Sequence, residues 1–192
     1  MNRAILFALL LVVACTAPSP PLSPPLEGAK IGGPFTLTDQ NGATVTERSY
    51  VGQYRIMYFG YTFCPDVCPT DVANLARGLK AFAKTDAVRA AKVKLIFVSV
   101  DPARDTPSVL KTFTAAFDPK MVGLTGSLKI TEDVAKAYGV TFSIAPGQAK
   151  DAYLVDHSRV SYLMDPDNKP IALIPQEGTP QEIAAEIGKW VK

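Results

Sequence analysis

The sequence predicts an α/β domain, a central mixed sheet flanked by helices and extended at its N-terminal side by a β-hairpin. Three observations predict it. Two buried apolar runs, YRIMYFGY at 54–61 and KVKLIFVSV at 92–100, are each followed by a helical pattern. That alternation implies parallel strands joined by right-handed crossovers. A turn at Asp165-Pro166-Asp167-Asn168 then separates two late apolar runs and implies a closing antiparallel hairpin before a last helix.

The elements follow in order. Phe35–Thr38 and Ala43–Thr46 are two short strands around Asp39-Gln40-Asn41-Gly42, and Asn-Gly is a strong hairpin signal. Tyr54–Tyr61 is a buried strand. Pro69-Thr70 opens a helix to about Lys84, with Val72, Leu75, Ala76, Leu79 and Phe82 on one face. Lys92–Val100 is the second buried strand. Thr106 caps a helix that Pro107 begins and that runs to about Phe117. Met121–Leu124 is a short strand, and Lys129–Tyr138 is a helix ended by Gly139. Leu154-Val155 lead into a strand at Val160–Met164, which the turn returns as Pro170–Pro175. Thr179-Pro180 opens the last helix, to Trp190. This order is the pattern of a thioredoxin-like fold, which by itself says little about function. Met57, Met121 and Met164 lie in apolar strands and read as core.

The chain has 192 residues, 47% of them hydrophobic and 20% charged, with a net charge of +2. This suits one domain with appendages, and the absence of a basic tract removes the electrostatic basis for binding nucleic acid. Residues 1–15, MNRAILFALLLVVAC, form an export segment: Arg3 supplies the charge, and the apolar run Ala4–Ala14 is too short to span a bilayer. Val12-Val13-Ala14-Cys15 resembles a bacterial lipoprotein box. It implies lipidation at Cys15 and a membrane-anchored protein facing the periplasm or another extracytoplasmic side. Residues 16–29 form a Pro-rich tether, and the domain proper covers 30–192.

The chemistry concentrates in FGYTFCPDVCPT at 59–70, at the C-terminal end of the first buried strand, where open parallel sheets place their sites. One helical turn sets the Cβ atoms of Cys64 and Cys68 roughly 5–6 Å apart. A disulfide needs about 3.5–4.5 Å. The pair is therefore near bridging distance and well placed to grip one ion. A helix N-terminus favours thiolates, and thiolates select soft ions such as Cu(I). His157 is the one histidine in the chain and stands at the start of the late strand segment. A neutral imidazole there completes a three-coordinate site of two sulfurs and one nitrogen. Zinc takes four ligands, for which only Asp66, Asp156 or a water is at hand. The same pair also allows a thiol–disulfide oxidoreductase, with Cys64 attacking and Cys68 resolving. The three-residue spacing between the cysteines differs from that of general disulfide reductases, so a classical enzyme is not expected. Asp101-Pro102-Ala103-Arg104-Asp105 is a turn in which Arg104 pairs with Asp101 or Asp105.

GYTFCPDVCPT at 60–70, SVDPARDTP at 99–107 and VDHSRVSYLMDPDN at 155–168 resemble three blocks of the Sco (SenC) proteins, in order and at approximate spacing. The resemblance covers most of the chain after residue 30. It implies a copper(I)-binding chaperone that supports assembly of the dinuclear copper centre of cytochrome c oxidase. The alternative role it implies is keeping the oxidase cysteines reduced. Cys64, Cys68 and His157 fall on the family's copper ligands. The implied partners are the copper-bearing oxidase subunit and another periplasmic copper chaperone or thiol reductase. One departure is Asn168, where the family commonly has glycine; Asn tolerates the left-handed geometry.

Overall fold

The computed structural model describes residues 23–144 and 152–192; the export segment with Cys15 and the tether as far as residue 22 lie outside them. The described chain docks before residue 30: the Leu26 N–H donates to the Ile171 carbonyl at 3.0 Å.

Nine strands and five α-helices are present among the described residues, with a 3-10 turn at Glu47–Tyr50. They are β1 (Thr36–Asp39), β2 (Thr44–Thr46), β3 (Tyr54–Gly60), α1 (Val67–Thr85), α2 (Ala87–Ala90), β4 (Val93–Ser99), α3 (Pro107–Ala115), β5 (Val122–Thr125), α4 (Leu128–Ala137), β6 (Phe142–Ile144), β7 (Val155–His157), β8 (Ser161–Met164), β9 (Pro170–Leu173) and α5 (Pro180–Trp190). The main sheet has the order β2-β1-β5-β4-β3-β8-β9. β3, β4 and β5 run parallel, β8 lies antiparallel to β3, and β9 antiparallel to β8. The β1–β2 hairpin extends the sheet beyond β5. This is the expected mixed sheet. β3 and β4 are central, and Ile56, Met57, Tyr58, Phe59, Ile96 and Phe97 are fully buried. Burying each such side chain stabilises by roughly 1.5–3 kcal/mol. Met57, Met121 and Met164 all lie in this core.

Local chemistry sets the boundaries. The Asp39 carboxylate accepts from the N–H groups of Asn41 and Ala43 at 2.8 and 2.9 Å, closing the hairpin over Gly42 at φ 84°. Thr106, Ser127 and Thr179 cap α3, α4 and α5 through their hydroxyls. α1 begins at Val67, two residues before the expected Pro69. Pro69 is tolerated there because the N–H groups of a first helical turn have no intrahelical acceptor. The shift puts Cys68 inside the first turn. α1 crosses α5 at Gly78, where any Cβ would fall 2.2 Å from Ile183 Cγ2.

One expectation fails. His157 does not begin the strand that joins the main sheet. It ends β7, which pairs with β6 in a separate two-stranded ladder, Phe142 opposite His157; β8 starts only at Ser161.

Candidate metal centre

The site lies where β3 ends. Tyr61 to Asp66 form the loop into α1, with the Cys64 N–H donating to the Tyr61 carbonyl at 3.3 Å. Gly60 makes the close approach possible: a Cβ there would lie 2.8 Å from Tyr58 Cε1 and 3.1 Å from Cys68 Sγ. Cys64 is 9% exposed and Cys68 fully buried. Both are free thiols. The Cys68 N–H points at Cys64 Sγ, 3.4 Å away.

His157 reaches the pair from the other side. Its Nε2 lies 3.2 Å from Cys68 Sγ, and its Nδ1 lies 3.1 Å from the Ser158 carbonyl oxygen. A carbonyl can only accept, so the proton belongs on Nδ1 and the Nε2 lone pair faces the sulfur. The rings of Tyr61 and Tyr58 stand edge-on to the imidazole at 6.0 and 6.4 Å. Burial lowers the His157 pKa and keeps the imidazole neutral.

The two thiols are driven apart. Burial raises the Cys64 pKa, but hydrogen bonds from the N–H groups of Cys68, Asp66 and Val67 at the start of α1 outweigh it, and the net shift is downward. Burial pushes Cys68 up to about 12. The loop therefore holds one thiol inclined to ionise beside one that keeps its proton.

Cys68 is the hub, and the three side chains expected from sequence share one neighbourhood. Among the described residues no three His, Cys, Asp or Glu groups converge as a finished cage. The other carboxylates named from sequence stay out: Asp66 is exposed, and exposed Asp156 precedes His157 on β7, where adjacent side chains point to opposite faces.

Sequence reasoning missed Asp71, and read Asp105 only as part of the Asp101–Asp105 turn. Asp71, fully buried on α1, accepts from Tyr58 Oη at 2.9 Å and from Arg159 Nε and Nη2 at 2.8 and 2.6 Å. Asp105, also fully buried, accepts from the Thr62 N–H at 3.1 Å and from the Thr62 and Ser99 hydroxyls at 2.6 Å, tying the cysteine loop to the end of β4. Arg104 pairs with Asp101 at 2.5 Å rather than with Asp105, and its guanidinium lies over the rings of Tyr153 and Phe63 at 3.6 and 4.9 Å. The available signal was spacing. Asp71 follows Cys68 by three residues, one helical turn on, and Arg159 follows His157 by two.

The family model SCO1/SenC matches residues 23–192. Protein SenC of Rhodobacter capsulatus is 44% identical over 161 residues, covering 83% of this chain and 70% of that protein. Against longer mitochondrial relatives the chain spans about half of their length, 53% in one case. The structure of Bradyrhizobium japonicum ScoI with copper bound superposes with a TM-score of 0.75 at 41% identity, over 83% of this chain and 99% of that one. BsSco, described as a member of the Sco family of cytochrome c oxidase assembly proteins, matches with a TM-score of 0.63 at 28% identity, over 83% and 94%.

Proposed function

We infer the function from two premises: the chain belongs to the SCO1/SenC family, and its two cysteines share a neighbourhood with its one histidine. It is a copper(I)-binding chaperone that supports assembly of the dinuclear copper centre of cytochrome c oxidase. The observation that carries this is the part-buried Cys68–His157 contact, with the Nε2 lone pair turned towards the sulfur. Two thiolates and a neutral imidazole form a soft donor set that suits three-coordinate Cu(I).

Copper is cargo. Cys64, the less buried of the two thiols, ionises first and makes the first bond; Cys68 releases its proton to solvent as the ion arrives, and His157 closes the site. Release runs by stepwise exchange with the cysteines of the oxidase's copper-bearing subunit. Ligand exchange requires a reachable sulfur, and Cys64 sits beside half-exposed Phe63 at the rim. A second role, reduction of the oxidase cysteines, draws on the same asymmetry of Cys64 and Cys68. The ScoI structure with copper bound favours the metal role.

The domain works from a membrane surface on the extracytoplasmic side, held by a lipid on Cys15 and the Pro-rich tether. Another periplasmic copper chaperone or a thiol reductase supplies it. Among the described residues no helix is long and apolar enough to cross a membrane. Intact mass of membrane-extracted protein tests the anchor: loss of residues 1–14 with a diacylglyceryl addition supports it, and an unmodified Cys15 rejects it.

The chaperone role is tested by mixing the Cu(I)-loaded, reduced protein with a metal-free copper-bearing domain of the oxidase. Copper appearing in the acceptor supports the role. When metal-free, reduced protein is mixed with an acceptor whose cysteines are oxidised, reduction of those cysteines with formation of a Cys64–Cys68 disulfide supports the second role instead.

A further inference from the structure

Among the described residues, no strand of the main sheet pairs with the segment carrying His157. β7 pairs only with β6 among the described residues, and the two form a ladder separate from the main sheet. No strand pairing therefore fixes the imidazole against α1, which carries Cys68.

Side chains cross that gap instead. Arg159, two residues after His157, makes a bidentate ion pair with Asp71, three residues after Cys68. A planar fork on a carboxylate fixes distance and orientation together. Asp71 is itself held by Tyr58 Oη at 2.9 Å, from β3, and the Tyr58 ring stands edge-on to His157. The third Arg159 nitrogen meets Glu177. The Arg159 backbone joins in as well: its carbonyl accepts from Gln176 Nε2 at 3.2 Å, and the Gln176 carbonyl accepts from Asn74 Nδ2 of α1 at 3.0 Å. Two links thus run from α1 to Arg159, one through Asp71 and one through Asn74 and Gln176.

We propose that Arg159 is a positioning residue for the metal site: its ion pair with Asp71 latches the His157 segment to the cysteine helix and so sets whether the imidazole reaches the copper. This rests on the copper reading of the site. Arg159 acts through Asp71 and does not touch the metal. Groups that orient a ligand typically contribute about 10–100-fold in metal affinity. A two-thiolate site without its imidazole is the expected state of the unlatched protein.

The test compares wild type, Arg159→Lys, Arg159→Gln and the double variant Asp71→Asn/Arg159→Gln, each reduced and loaded with Cu(I). The double variant removes both charges and so avoids stranding a buried carboxylate. Cu K-edge absorption reads imidazole outer-shell scattering, chelator competition reads affinity, and thermal melting reads fold. The latch predicts that Arg159→Gln and the double variant keep the copper–sulfur signal, lose most imidazole scattering, and bind copper about tenfold or more weakly. Arg159→Lys, which keeps the charge but not the fork, falls between. Imidazole scattering and affinity equal to wild type in all the variants, with only the melting point lowered, overturn the latch and leave the copper site standing. Absence of imidazole scattering from the wild type overturns the copper reading and the latch with it.

Discussion

Cys68 Sγ and His157 Nε2 stand 3.2 Å apart although 89 residues separate them in the chain. Three features favour the contact: a helix that starts at Val67 rather than Pro69, a glycine beneath the sulfur, and a short β6–β7 ladder that ends at the histidine.

The thiol asymmetry predicts selective alkylation. With the metal-free reduced protein, Cys64 reacts with iodoacetamide at a rate that rises through a pKa below the ordinary thiol value of 9.0, while Cys68 stays protected up to about pH 12. Peptide mapping by mass spectrometry at a series of pH values measures both. Equal labelling of the two at pH 8 contradicts the assignment.

The same shifts carry a stability consequence. Cys68 binds its proton more tightly when folded, so its contribution is present below the unfolded thiol pKa and is lost as pH rises from 9.0 towards about 12. Cys64 and His157 have lowered values, so each contributes above its unfolded pKa and loses that contribution as pH falls through the folded value. Urea unfolding of a Cys68→Ala variant beside the parent isolates the first effect. The parent's advantage should shrink between pH 9 and 11, and a pH-independent difference would refute it.

Gly60→Ala should damage both fold and site. The added Cβ meets Tyr58, Cys68 Sγ and Phe97 at 2.8, 3.1 and 3.3 Å, inside a fully packed strand. Overpacking of this kind costs typically 1–3 kcal/mol. Chemical denaturation gives the cost, and Cu(I) competition should show weakened binding in whatever fraction remains folded. A variant as stable as the parent argues against the close approach.

Asn168 does more than tolerate a turn. It sits at φ 66° while its side-chain oxygen accepts from Arg55 Nη1 at 3.0 Å and from Tyr138 Oη at 3.3 Å, and its amide donates to the Gly33 carbonyl. Arg55 is fully buried. Asn168→Gly keeps the backbone freedom but strands part of that network, at about 1–3 kcal/mol. Asn168→Ala adds left-handed strain of roughly 1–2 kcal/mol. Thermal melting should rank them parent, Gly, Ala; Gly equal to or above the parent would mean the network contributes nothing.

The contrast between what was and was not legible follows from these residues. The apolar runs around Ile56 and Ile96, the caps at Thr106 and Thr179, and the Asn-Gly hairpin carry local signals, so strand and helix order could be read directly. The cysteine loop and lone histidine were legible as chemistry because soft donors are few. The β6–β7 ladder was not, because three-residue strands 10 residues apart leave no periodic trace. Arg159 and Arg55 were missed for a different reason: a guanidinium reads as surface until its partners, Asp71 and Asn168, are brought to it by tertiary structure.

The most direct test of the central claim is copper titration of the reduced protein, read by Cu K-edge absorption, for wild type and His157→Ala. The account predicts about one Cu(I) per chain in the wild type, bound by two sulfurs and one imidazole nitrogen, with the nitrogen lost and affinity reduced in His157→Ala. A wild type that retains no copper, or a His157→Ala variant with unchanged coordination and affinity, would contradict it.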